Sequence, residues 1–164
     1  MSNAPVSPDD FKAALGSWAA GVTVVTTRLD DLVYGITVSS FSSLSMDPLL
    51  VLVCLADSNR LPRMIEQSGR FAVSILAAGQ DDVSATFARS GREAGNDLGA
   101  ESLVMQTGAP VIAGSIAALD CELEQAVPGG DHTIMIGRVV AATADPSKMP
   151  LIYYRRGYRD LVMD

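Results

Sequence analysis

The sequence predicts a mainly β domain, a closed antiparallel barrel with a few short helices. Three observations lead there. Runs of β-branched and apolar residues recur along the chain, and they follow one another without regular helical crossovers. A doubly wound parallel sheet needs a helix between its strands, so an antiparallel barrel is favoured. The length of 164 residues suits one domain. With 48% hydrophobic and 19% charged residues, the chain has the apolar material for a core and falls outside the disordered class. We expect a mobile arm over residues 1–7 and a single domain over 8–164.

The elements are expected in this order. Ser7 ahead of Pro8, Asp9 and Asp10 reads as a helix start, with a capping hydroxyl, Pro in the first turn and acids at the positive end of the dipole. Phe11, Leu15 and Trp18 then share one helical face, and Gly21 ends the helix. Val22 to Thr27 is a β-branched strand, Asp30-Asp31 a turn, and Val33 to Ser39 the returning strand of a hairpin. Phe41 to Pro48 reads as a Ser-rich loop, and Leu49 to Leu55, continuously apolar, as a strand buried on both faces. Ser58 to Ser68 is a short helix with Leu61, Met64 and Ile65 inward, closed by Gly69. Phe71 to Leu76 is a strand, and Gln80 to Ala88 a helix with Val83 and Phe87 on one face. Arg89 to Ala100, rich in Gly and charge, is expected as a mobile loop. Ile116 to Val127 alternates, with Leu119, Cys121 and Leu123 inward and Asp120, Glu122 and Glu124 outward. After the turn Pro128 to Asp131, Thr133 to Thr143 is its partner. Leu151 to Tyr154 and Tyr158 to Val162 close the chain as two short strands around Arg155-Arg156-Gly157.

Charge and composition exclude several functions. The net charge is −7 and the pI about 4.6, so the chain lacks the basic face that nucleic acid requires. No apolar run approaches the ~20 residues of a membrane span, and no basic stretch followed by an apolar core marks a signal peptide. Cys54 and Cys121 each sit in an apolar run, as reduced thiols of a cytoplasmic protein do. One histidine and no Cys-x-x-Cys leave no zinc site, and neither a P-loop nor a Gly-x-Gly-x-x-Gly is present. So much apolar residue with so little charge suggests surface hidden in a partner subunit.

Chemistry is expected in four places. Gly35 to Ser43 carries Thr37, Ser39, Ser40, Ser42 and Ser43, a run of hydroxyls able to bind a phosphate or the polar edge of a flavin ring; it also reads as a plain Ser-rich turn. Ser58-Asn59-Arg60 opens a helix and offers an anion site, or a capping Ser beside a solvated Arg. Arg89, after the helix carrying Phe87, closes over a phosphate or complements the helix end. His132, the single histidine, sits on a turn as a ligand donor or an inert surface residue. Tyr153, Tyr154 and Tyr158 beside Arg155 and Arg156 suit stacking on a planar ring, or an interface.

Taken together, these segments resemble the short-chain flavin reductases, the reductase components of two-component flavin monooxygenases. Phe11 to Thr27 is similar to the family's opening motif, and Gly35 to Phe41 to its flavin-binding strand and loop. Asp47 to Leu55, Gly69 to Leu76, Gly108 to Val111, Gly130 to Ile134 and Pro150 to Arg155 follow in family order, so the resemblance runs from about Phe11 to Leu161. It implies an FMN-binding split β-barrel of antiparallel Greek-key type, a homodimer that oxidises NADH or NADPH and reduces FMN or FAD. The reduced flavin diffuses to a separate flavin-dependent monooxygenase.

By position, the resemblance implies that Gly35, Thr37, Val38, Ser39 and Ser40 hold the flavin ring and ribityl chain. Cys54, Leu55 and Ala56 pass beside it. Ser58, Asn59, Arg60, Phe87 and Arg89 surround the phosphate end, and His132, Tyr154 and Arg155 border the nicotinamide. His132 is expected to position that ring and not to serve as an essential acid or base. Two other readings stay open: a flavoprotein of the same barrel that reduces ferric iron or a quinone, and a non-catalytic flavin- or haem-binding module.

Overall fold

The structure is a computed structural model and describes residues 5–162. Most of the expected arm, residues 1–4, lies outside the described residues. Helix α1 spans Pro8–Leu15, and the Ser7 hydroxyl accepts the Asp10 N–H at 3.1 Å. The helix stops at Gly16, earlier than the expected Gly21. The N–H groups of Ser17 and Trp18 turn back to the carbonyls of Ala14 and Leu15, three residues behind them, which tightens the last turn and ends the helix. No residue of α1 is buried. Its apolar face, with Phe11 and Leu15, is uncovered, and Trp18 beyond it is 76% exposed.

Then come β1 (Ala20–Gly21), β2 (Thr23–Leu29), β3 (Leu32–Val38), β4 (Phe41–Met46), β5 (Leu49–Ala56), α2 (Leu61–Ser68), β6 (Arg70–Ile75) and α3 (Asp81–Ala88). The chain continues through β7 (Ser102–Val104), β8 (Pro110–Ile112), β9 (Ala117–Gly129), β10 (His132–Ala144), β11 (Ile152–Tyr154) and β12 (Gly157–Arg159). Seven strands form one antiparallel sheet in the order β3-β2-β6-β9-β10-β5-β4. Strand pairing does not close the expected barrel: β3 and β4 stand at the two ends of the sheet. The sheet nevertheless curls around one core. Val25, Tyr34, Val53, Leu55, Phe71, Val73, Cys121 and Met135, from six of its strands, join Leu61 and Ile65 of α2 in a single buried cluster. Gly137 makes this packing possible, since a Cβ there would stand 2.4 Å from Cζ of Phe71 and 2.8 Å from Cβ of Cys121.

Four local expectations are corrected. The Ser-rich segment is a strand, β4, because β5 supplies backbone partners from Phe41↔Val53 to Met46↔Leu49, and this pairing overrides the low β-propensity of serine. Strand β5 alternates instead of being buried throughout. Val51, Val53 and Leu55 face the core, while Leu50, Leu52 and Cys54 are half-covered, because one sheet face has no layer over it. Asp120, expected outward, is fully buried and accepts the N–H and hydroxyl of Thr107 at 2.7 and 2.5 Å. The 89–100 segment is tied down. Arg92 donates to the carbonyls of Gly35 and Leu98 at 2.9 and 2.8 Å and lies 4.2 Å over the Phe87 ring, and Gly95 pairs with Val33.

A second sheet, β1-β11-β12, fixes the site's other wall. It pairs Ala20 with Tyr153 and Gly21 with Ile152, which carries the C-terminal hairpin to the foot of α1.

Candidate functional site

Where β3 leaves the sheet toward β4, the chain crosses the ends of β5 and β10. The register pairs His132 with Ala56 and Ile134 with Cys54. An open cleft of about 410 Å³ results, lined by Ile36, Thr37 to Ser40, Cys54 to Ala56 and His132. A second cleft of about 680 Å³ runs on from it past Ser39 to Ser42, Cys54, Trp18 and Tyr153 to Lys12, Arg155 and Arg156. A smaller one opens beneath, among Val22, Thr37 to Ser39, Ser84, Ala88, Tyr153 and Tyr158. Ser39 lines all three.

The hydroxyls of this run divide in use. Thr37 donates to the carbonyl of Ser84 at 2.7 Å, which fixes β3 on α3. Ser40 donates to the carbonyl of Cys54 at 2.7 Å and accepts its N–H at 3.3 Å, so its side chain stands in for a strand partner at the β3–β4 corner. Ser39 is exposed and bonds to nothing among the described residues, which leaves its donor and lone pairs for a ligand.

His132 is oriented by its neighbour, with Nδ1 2.7 Å from Oδ1 of Asp131. That leaves Nε2 as the ring nitrogen available to a ligand. The hydrogen bond with His132, and then its charge, hold the exposed Asp131 carboxyl below its ordinary value. The Asp57 N–H donates to the carbonyl of Asp131 at 3.0 Å and Thr133 donates to the Asp57 carboxylate at 2.7 Å, so the ends of β5 and β10 are cross-tied around the histidine.

The structure therefore brings Thr37, Val38, Ser39, Ser40, Cys54, Leu55, Ala56 and His132 together, with Arg155 in the adjoining cleft. Other expected site residues lie off these walls. Gly35 is buried beneath, where a Cβ would stand 2.8 Å from Cγ2 of Thr26 and 3.3 Å from Phe87, itself a core residue. Ser58 does not cap α2; the N-cap position is Arg60, and just ahead of it Asn59 Oδ1 accepts the Leu61 N–H at 2.9 Å. Arg60 pairs with Glu93 at 2.7 Å and lies 5.5 Å over the Tyr34 ring. Arg89 is exposed directly after Ala88, a lining residue. Tyr154 carries the Arg155 guanidinium over its ring at 5.2 Å, while its neighbour Tyr153 lines the cleft. Lys12 and Trp18 were missed as lining residues. Both belong to the helix-forming segment, whose apolar stripe reads as core until its lack of cover is seen.

The conformation of this chain is shared. It is 40% identical over 152 residues to the 4-hydroxyphenylacetate 3-monooxygenase reductase component of Thermus thermophilus, covering 93% of this chain and 95% of that protein. It is 37% identical over 158 residues to the flavin-dependent monooxygenase reductase subunit HsaB of Mycobacterium tuberculosis, covering 95% and 83%. The solved structure of the Streptomyces globisporus NADH:FAD oxidoreductase SgcE6 in complex with NAD and FAD fragments superposes with a TM-score of 0.89 at 32% identity, covering 98% of each chain. The family model for the flavin reductase like domain matches residues 15–162. With the hydroxyl-lined cleft already traced through that span, the chain belongs to the flavin reductase-like family.

Proposed function

We propose that this protein is an NADH-dependent flavin reductase that supplies reduced flavin to a separate monooxygenase. The observation that carries the reading is the cleft around Ser39. It combines an unengaged hydroxyl, a wall from Ile36, Val38 and Cys54, and an oriented imidazole, which suits a planar heterocycle with a polar edge. When bound, a flavin supplies the acceptor for a hydride from the dihydronicotinamide.

The chain's own part is binding and orientation. Ser39 donates to the ring's polar edge, with Thr37, Val38 and Ser40 shaping that wall and Cys54, Leu55 and Ala56 forming the other. Gly35 and Phe87 support the wall from below. Ser58, Asn59, Arg60 and Arg89 serve the phosphate end. The Arg60–Glu93 pair is exposed on both sides and holds Arg60 weakly, so a phosphate can take the guanidinium from it. His132, with Nδ1 held by Asp131, turns Nε2 to the nicotinamide amide as a positioning group, while Arg155, in the adjoining cleft, and Tyr154 beneath its guanidinium serve the rest of the dinucleotide.

The curled, unclosed sheet, with β3 and β4 at its two ends, supports a split barrel. The uncovered Phe11, Leu15, Trp18, Met46 and Leu49 support a homodimer, because an apolar surface of this extent seeks a partner. No described helix is long and apolar enough to cross a membrane, and both cysteines are free thiols, which supports a cytoplasmic enzyme.

Purified protein mixed with NADH and FMN or FAD should bleach the 340 nm absorbance in proportion to added flavin. Absence of flavin-dependent oxidation with both NADH and NADPH removes the reductase reading. Light scattering should return twice the mass of the chain, and a monomer at micromolar concentration removes the dimer.

A further inference from the structure

The clefts form one continuous groove whose far end is cationic. The wider cleft reaches Lys12, Arg155 and Arg156, and the same three side chains line an adjoining hollow with Ala13, Gly16 and Ser17. Among the described residues none of the three has a carboxylate partner; the ion pairs present use Arg60, His132, Arg138 and Lys148. Arg155 and Arg156 form the two-residue turn between β11 and β12, with φ of 48° and 59°. A hairpin turn with positive φ at both positions favours Asn-Gly, and two arginines there hold a conformation costly for side-chained residues. The Arg155 N–H donates to the carbonyl of Gly16 at 3.2 Å, which pins the turn beside the foot of α1 and Lys12. Trp18 and Tyr153 line the same cleft as these cations and Ser39. With a net charge of −7, the molecule repels anions at long range, so an anionic co-substrate needs local positive groups of this kind.

We propose that Lys12, Arg155 and Arg156 form a phosphate-binding subsite for the pyridine dinucleotide, at the opposite end of the groove from His132. The inference rests on the reductase reading. The nicotinamide lies at the Ser39–His132 end, and the dinucleotide's pyrophosphate or 2′-phosphate reaches the arginine turn.

The test is steady-state kinetics of Arg156→Ser and Lys12→Ser, alone and combined, with NADH, NADPH and reduced nicotinamide riboside as donors and riboflavin, FMN and FAD as acceptors. The double variant should raise KM for NADH about tenfold, the effect of losing charge-assisted phosphate contacts, while the loss spares kcat. Reduced nicotinamide riboside, which carries no phosphate, should not notice the change. Arg156→Lys should recover part of the loss. An equal rise for NADH and NADPH assigns the pyrophosphate, and a rise confined to NADPH assigns the 2′-phosphate. Either supports the subsite.

A change confined to FMN and FAD, with riboflavin unaffected, gives the site to the flavin and overturns the proposal. So do unchanged KM values for every donor in a wild type that turns over. A lowered melting temperature with unchanged donor dependence shows that these cations only complement the helix end, and also overturns it. A wild type that oxidises neither dinucleotide removes the reductase reading and the subsite together.

Discussion

Arg70 and Arg92 sit among the main-chain carbonyls they hold, whereas Arg155 and Arg156 stand at a groove with no carboxylate beside them. Arg70 donates to the carbonyl of Thr107 at 2.5 Å, and Arg92 bridges the carbonyls of Gly35 and Leu98. The same division runs through the hydroxyls. Thr26, Thr27 and Ser74 are buried and bonded to the chain, the first two donating to the carbonyls of Pro110 and Arg70 and the third accepting the Ile112 N–H, while the Ser39 hydroxyl is exposed and unengaged. It runs through the thiols too, with Cys121 in the core and Cys54 on the cleft. The comparison teaches that residue type says little about role in this fold. What distinguishes a group that holds the fold from one left open to a ligand is whether the chain has already taken its hydrogen bonds.

That division can be broken, and the largest effect belongs to Arg92. Arg92→Ala removes two charge-assisted bonds and the contact with the Phe87 ring, and should lower stability by about 3 kcal/mol in urea unfolding. A loss under 1 kcal/mol would show that the 89–100 segment is not anchored through it. Arg70→Ala should cost less, about 1.5 kcal/mol. Its Nε is buried with no partner among the described residues, so removing that donor returns part of what the lost carbonyl bond takes.

The thiols sharpen the same contrast through pH. Burial, and secondarily the Asp120 carboxylate, push the Cys121 thiol from 9.0 up to about 12. The unfolded chain gives up this proton first, so the folded state binds more protons above pH 9.0. Stability should therefore fall as pH rises from 9.0 toward 12, at most by about 1.4 kcal/mol per pH unit. Cys121→Ala should flatten that slope, and an unchanged slope would assign it elsewhere. In the native protein at pH 8 an alkylating reagent should modify Cys54 and spare Cys121. The smallest effect is at the cleft itself. Ser39→Ala should weaken flavin binding by about 1 kcal/mol, read by fluorescence quenching, with no change in urea midpoint. The opposite pattern, stability lost and affinity kept, would move Ser39 into the class of Arg92.

Much of this molecule was legible from the chain alone because it depends on local chemistry. The Ser7-Pro8 helix start, the β2–β3 hairpin around Asp30-Asp31, the inward stripe of α2 closed by Gly69 and the pairing of β9 with β10 across the turn at Pro128 to Asp131 all follow from capping, turn chemistry and periodicity. The hydroxyl run at Thr37 to Ser40 and the single histidine were visible for the same reason, as residue types unusual in their place.

What only the tertiary structure decided depends on which strand lies beside which. Strand β4 exists because β5 offers its edge, so no propensity could announce it. Asp120 turns inward because Thr107, thirteen residues away, supplies both of its donors. Tyr153 rather than Tyr154 lines the cleft because β11 pairs with β1 in a register set by tertiary packing, and a shift of one residue would exchange their faces. Lys12 and Trp18 join the groove because that same pairing brings the foot of α1 to the arginine turn. Local elements are written in spacings of two to four residues, whereas a site is assembled across much longer separations. Most of its members were readable as residues, Lys12 and Trp18 excepted, and their meeting was not.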